Sequence, residues 1–283
     1  MTTVKAYRLR IETEDPMYYG QKKLKITGRD LVNLSSSVFH LLELEVLDLS
    51  PERESCLDYK LTSLPPGIGR LVNLTTLMLD TNDLTEVPPE MALLQQLERL
   101  ALSNNHLSSL PPEFKNLKEL RSLHLANNDF HDFPPQLCCI TTLQFLDLSD
   151  NHIKALPEEI SQLQELQTLL LFINDLPKLP EALCQLTELR CLWVGKNRLR
   201  ALPRHFGQLV NLDWGHRYTS SALDDNPLIH PPLEICRMGP QAIDRYMTSL
   251  HGGDTADRHK DDSRSRTNSR KDGKAEMIRD NGT

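Results

Sequence analysis

Leu97-Glu-Arg-Leu100-Ala-Leu102-Ser-Asn-Asn105-His-Leu107-Ser-Ser-Leu110-Pro111-Pro-Glu-Phe114-Lys-Asn-Leu117-Lys-Glu119 is the unit from which most of the chain is built. Its leading leucine recurs at Leu74, Leu97, Leu120, Leu143, Leu166, Leu189 and Leu212, a step of 23 residues each time. An asparagine follows each of the first six leaders by 8 residues, at Asn82, Asn105, Asn128, Asn151, Asn174 and Asn197. A repeat of this length predicts a solenoid, in which each unit buries its apolar side against its neighbours and has no core of its own.

Within the unit, Leu-x-Leu alternates with period two, which suits a short strand with one inward and one outward face. The Leu-Pro or Pro-Pro pair stops that element, because proline donates no backbone hydrogen bond and restricts its predecessor. The few residues left for the return path are too few for a long helix, so turns and 3₁₀ pieces are expected there. The asparagine column sits at a bend. A buried amide side chain both donates and accepts, so it is expected to satisfy backbone groups that the bend leaves unpaired.

The pattern Leu-x-x-Leu-x-Leu-x-x-Asn-x-Leu-x-x-Leu-Pro-x-x-Ile-x-x-Leu, matched from Leu24 to Ile235, resembles the leucine-rich repeat family. The resemblance implies an α/β fold: a right-handed horseshoe solenoid with a concave parallel β-sheet and a convex side of turns and short 3₁₀ or helical pieces.

Residues 1–20 do not fit the repeat and are expected to cover its first unit; Tyr7, Leu9 and Ile11 alternate as an edge strand would. The repeat domain is expected over residues 21–238, about nine units. Its first unit has Arg29 in the asparagine place. Rim insertions are expected near residues 51–60 and 213–222, the second containing Trp214; beyond it Asn226 rejoins the asparagine column. Ala242, Ile243, Tyr246, Met247 and Leu250 have helical spacing and predict a capping helix over 239–250. Residues 251–283, rich in Ser, Arg, Lys and Asp, are expected to be disordered.

Net charge of −7 gives no general preference for nucleic acid or an anionic membrane. No apolar run is long enough to span a bilayer, and Met1 to Pro16 lack the apolar core of a secretory signal. Cys138, Cys184 and Cys236 share one column of the repeat, Cys191 lies on a strand, and neither end carries a cysteine cluster; reduced thiols in a cytoplasmic or nuclear protein are expected. No metal site, cofactor or catalytic signature is found. Too little sequence lies outside the repeats to fold a catalytic domain.

Binding is therefore the expected activity. Residues between and beside the strand leucines point to the concave surface. Large apolar groups gather there in three consecutive units: Phe145, Leu170, Phe172, Ile173, Cys191 and Trp193, with Asp147 at the margin. Exposed apolar patches with aromatic anchors mark protein interfaces. The reading is a monomeric scaffold that binds a partner protein through this patch. The regular Leu-Pro-x-x-Ile units and Asn226-Pro227-Leu228 resemble the Ras suppressor and Shoc-type scaffold proteins, which implies a small GTPase or a phosphatase as partner. The alternatives are a non-catalytic subunit of an enzyme complex and an RNA-associated protein acting through the Ser/Arg tail.

Overall fold

The structure, a computed structural model, describes residues 11–51, 59–214 and 223–250. The expected solenoid is what forms. Eight three-residue strands make one parallel sheet in sequence order: β1 (Lys23–Lys25), β2 (Val46–Asp48), β3 (Thr76–Met78), β4 (Arg99–Ala101), β5 (Ser122–His124), β6 (Phe145–Asp147), β7 (Thr168–Leu170) and β8 (Cys191–Trp193). The central leucine of each strand lies opposite the central leucine of the next, from Leu24↔Leu47 to Leu169↔Leu192. The two flanking positions therefore form continuous rows across the inner face.

Each repeat returns through a short 3₁₀ helix, such as Pro89–Leu93, Pro112–Asn116 and Glu158–Gln162. The residue before each of these three, for example Pro111 at φ −65° and ψ 148°, is an extended proline that ends one segment and begins the next. The leucines of strand and return path meet in one continuous core in which Leu100, Leu123, Leu146, Leu169 and Phe114 are fully buried. Full burial of each such side chain contributes about 1.5–3 kcal/mol.

The two ends depart from the repeat. At the N-terminus, Glu12 bridges Lys23 in antiparallel fashion, and the loop that follows tucks Tyr18 into the fold; Tyr7 and Leu9 lie outside the described residues. Where Arg29 replaces asparagine, the first unit makes a one-turn helix, α1 (Arg29–Val32), since no amide is present to hold the usual bend. At the C-terminus, α2 (Leu233–Cys236) is followed by helix α3, whose described residues are 240–250. Gly207 permits α3 to close on the last repeat: a Cβ there would fall 2.4 Å from the Asp244 Cβ.

Trp214, at the start of the expected second insertion, anchors this end: its Nε1 donates to the Cys236 carbonyl at 2.8 Å, and its ring meets Phe206 edge-on at 6.3 Å. An indole packs wherever apolar surface and an acceptor coincide, which the repeat phase does not reveal. Residues 52–58 and 215–222, most of the two expected insertions, and the tail 251–283 lie outside the described residues.

Candidate protein-binding surface

Two columns of polar and strained residues hold the concave face in shape. In the first, each buried asparagine ties its own turn to that of the preceding repeat. Asn128 Nδ2 donates to the carbonyls of Leu102 (3.0 Å), Leu125 (3.1 Å) and Ala126 (3.3 Å), while its Oδ1 accepts from Leu107 N at 2.9 Å. Asn82, Asn105, Asn151, Asn174 and Asn197 bond in the same way. Asn226 Oδ1 accepts from Leu199 N at 3.0 Å and its Nδ2 reaches Val194 and Leu223, so the column crosses the broken unit without interruption.

The second column immediately precedes the asparagines: Thr81, Asn104, Asn127, Asp150, Ile173 and Lys196, all at φ between 50° and 61°. This left-handed region suits glycine, asparagine and aspartate. Thr81 (φ 61°) and Ile173 (φ 56°) are β-branched and therefore strained there. Neither the column's conformation nor this strain was read from the sequence, although the Asn104, Asn127 and Asp150 run in place of bulkier groups carries its signal.

The register brings part of the apolar set together. Asp147, Leu170 and Trp193 are direct neighbours across β6, β7 and β8, and Phe145, Thr168 and Cys191 form the parallel row. With strands about 4.8 Å apart, these side chains are immediate neighbours on the face. All are half-buried, and none belongs to the core cluster. Phe172 and Ile173 flank them at the C-terminal ends of the strands. Ile173 is 37% exposed, and Lys196 Nζ lies 5.3 Å from the Phe172 ring centre, a cation–π contact. Asp147 is at the margin, its Oδ1 accepting from Ser149 N at 2.9 Å.

His124 extends the patch onto β5, its ring centre 4.6 Å from that of Phe145. Burial lowers its pKa, the nearby Asp147 charge opposes that shift and Arg99 reinforces it, which favours the uncharged imidazole, whose Nε2 lies 3.0 Å from Ser122 Oγ. The N-terminal loop contributes a wall that the repeat pattern could not indicate. Tyr18 Oη donates to Met78 Sδ at 3.7 Å, and Gln21 Nε2 to Thr75 Oγ1 at 3.4 Å.

Farther from the patch, the face is acidic at the C-terminal ends of β2 and β3. Asp80 is pushed up to about 6 by burial; Ser103 N, donating to it at 2.7 Å, counteracts this and the Asp48 charge adds to it. Cys138, Cys139, Cys184, Cys191 and Cys236 are free thiols. Burial pushes Cys138 and Cys184 up to about 12 and Cys236 to about 11, so they remain protonated packing groups. Among the described residues there is no group of His, Cys, Asp and Glu placed to hold a metal ion, and no helix long and apolar enough to cross a membrane.

Two family models match consecutive stretches: "Leucine rich repeat" over residues 72–130 and "Leucine-rich repeat region" over residues 131–220. The chain is a leucine-rich repeat protein. Among solved structures it is similar to a leucine-rich repeat protein of Leptospira interrogans, at 31% identity and a TM-score of 0.59, over 76% of this chain and 58% of that one. It is also similar to the leucine-rich-repeat ectodomain of the membrane receptor kinase GASSHO1/SCHENGEN3 from Arabidopsis thaliana, in complex with CASPARIAN STRIP INTEGRITY FACTOR 2. That match has 30% identity and a TM-score of 0.58, over 71% of this chain and 23% of that one. The chain thus spans less than two thirds of either structure's length. Among curated proteins no match was found.

Proposed function

We propose that the chain is a protein-interaction module that captures a partner protein on the apolar part of its concave face, centred on Leu170 and Trp193 and bounded by Phe145, Phe172, Ile173 and Cys191. The observation that carries this reading is Ile173. It holds a left-handed turn position, where asparagine would relieve strain of about 1–2 kcal/mol, and presents a large aliphatic group to solvent beside Phe172. A residue kept against local stability and in the open is explained by a contact outside the chain.

The plant receptor ectodomain, whose structure holds a bound factor, supports a binding role for this architecture. The finer reading is an intracellular, non-catalytic scaffold with a small GTPase or a phosphatase as partner. That choice rests on the resemblance to Ras suppressor and Shoc-type proteins, and the free thiols support a reducing compartment. Repeats over residues 21–238, a capping helix over 239–250 and a solvated tail beyond belong to the same proposal.

Proximity labelling in cells, with wild type compared against Trp193→Ala and Phe172→Glu, tests it. Both variants should lose the same set of neighbours while unfolding at nearly the wild-type temperature. Retention of those neighbours by both variants rejects the patch, and a recovered set without GTPases or phosphatases rejects the finer reading.

A further inference from the structure

Beside the apolar patch, a groove of about 720 Å³ opens between the N-terminal loop and the N-terminal ends of β3 to β6. Arg99, the first residue of β4, and Arg121, just before β5, stand exposed along it, with the His124–Phe145 pair and Tyr18 also lining it. Among the described residues neither guanidinium makes a hydrogen bond or an ion pair. Several other cations do find carboxylates: Lys23 to Asp15 at 2.6 Å, Lys60 to Asp83 at 2.9 Å and Arg198 to Asp175 at 2.6 Å. Glu98, the carboxylate of the groove, engages neither arginine.

The concave face is electrostatically polarised as a result. Arg99 and Arg121, with Glu98 beside them in the groove lining, lie at the N-terminal ends of β4 and β5, whereas Asp48 (paired with Lys25 at 3.7 Å), Asp80, Asp147 and Asp150 outnumber Lys196 toward the C-terminal ends. An anionic ligand is attracted to the first edge and repelled from the second, which sets both its position and its direction. A guanidinium fork matches a carboxylate bidentately, and this groove offers two forks a strand apart. Phe145 belongs both to the groove and to the apolar patch, so the two surfaces are continuous.

We propose that the groove binds an acidic segment of the partner protein, side-chain carboxylates on Arg99 and Arg121, with the segment running on over Phe145 so that an apolar side chain reaches Trp193. The inference rests on the apolar patch being a partner surface. It adds a spacing rule: β4 to β8 is four strand steps, about 19 Å, which an extended chain covers in about six residues. The recognised segment therefore carries an acidic pair and a large apolar residue about six positions away.

An immobilised panel of ten-residue peptides tests this with the full chain as probe. The acidic pair is varied among Glu, Ala, Lys and phosphoserine, and the apolar position between Leu and Ala at several spacings. Glu peptides with Leu at the long spacing should bind best. The double variant Arg99→Glu/Arg121→Glu should lose about tenfold or more and regain binding to the Lys peptides. Both arginines are exposed, so the variant should unfold at the wild-type temperature, which a thermal melt checks.

Equal binding of Glu and Ala peptides, or indifference to the double reversal, overturns the proposal. If Leu-dependent binding then persists and disappears in Trp193→Ala, the apolar patch stands and only the acidic segment falls. Preference for phosphoserine, or retention of fluorescein-labelled poly-U RNA through the arginine pair, identifies a phosphate ligand and also overturns it, as does failure of every peptide to bind.

Discussion

The strands β3 to β5 and β6 to β8 share one backbone, one register and one asparagine column, yet they present different chemistry. The first group offers Thr76, Met78, Arg99, Ala101, Ser122 and His124 to the concave side; the second offers Phe145, Asp147, Thr168, Leu170, Cys191 and Trp193, with three large apolar groups among them. Beneath both lie the same fully buried leucines. Stacking fixes what faces the core and leaves the inner surface unconstrained, so departures on that surface are where binding chemistry resides.

The comparison is sharpened first by attacking what the two halves share. Asn128→Ala orphans the Leu107 amide and removes one of the two amide donors on each of the Leu102 and Leu125 carbonyls, which keep Asn105 and Asn151. Thermal or urea unfolding should show a loss of about 1–3 kcal/mol. An equal loss is expected for Asn174→Ala beneath the apolar half, because the buried contacts are alike. A marked difference between the two would show that the scaffold is not uniform.

Asp80 separates the halves by pH. Its folded pKa, about 6, exceeds the usual carboxylate value, so the folded state binds a proton more tightly than the unfolded chain. The charged form costs stability above pH 6. That cost is relieved as pH falls from about 6 toward 4, below which both states are protonated. Asp80→Asn should add about 1–2 kcal/mol at pH 7.5, with allowance for partial screening, and flatten the profile between pH 4 and 6. Melts across that range check the sign, and partner capture should be unaffected.

Ile173→Asn gives a smaller effect of opposite character. Relief of the left-handed strain should raise stability by about 1 kcal/mol while weakening capture. Higher stability with full capture would mean that Ile173 is incidental to binding.

Much of this was legible from the repeat. A strict 23-residue period reports which leucines are buried, because burial recurs with each coil, and it placed strands, 3₁₀ turns and the asparagine bonds together. The helical spacing of Ile243 and Met247 likewise indicated α3, and both are buried. What escaped lies where no period operates. Tyr18 and the N-terminal loop reach the groove through contacts distant in sequence, Trp214 is fixed by one carbonyl and one ring, and the pairing of His124 with Phe145 depends on strand register. Arg99 and Arg121 gained significance only when the fold set them on one edge without an ion-pair partner among the described residues.

The central claim is tested most directly by measuring Trp193→Ala twice, for partner recovery by co-purification from cells and for its unfolding midpoint. A surface role predicts lost recovery with a midpoint within about 3 °C of wild type. A midpoint lower by about 10 °C or more, as a buried tryptophan would give, or recovery that is unchanged, contradicts it.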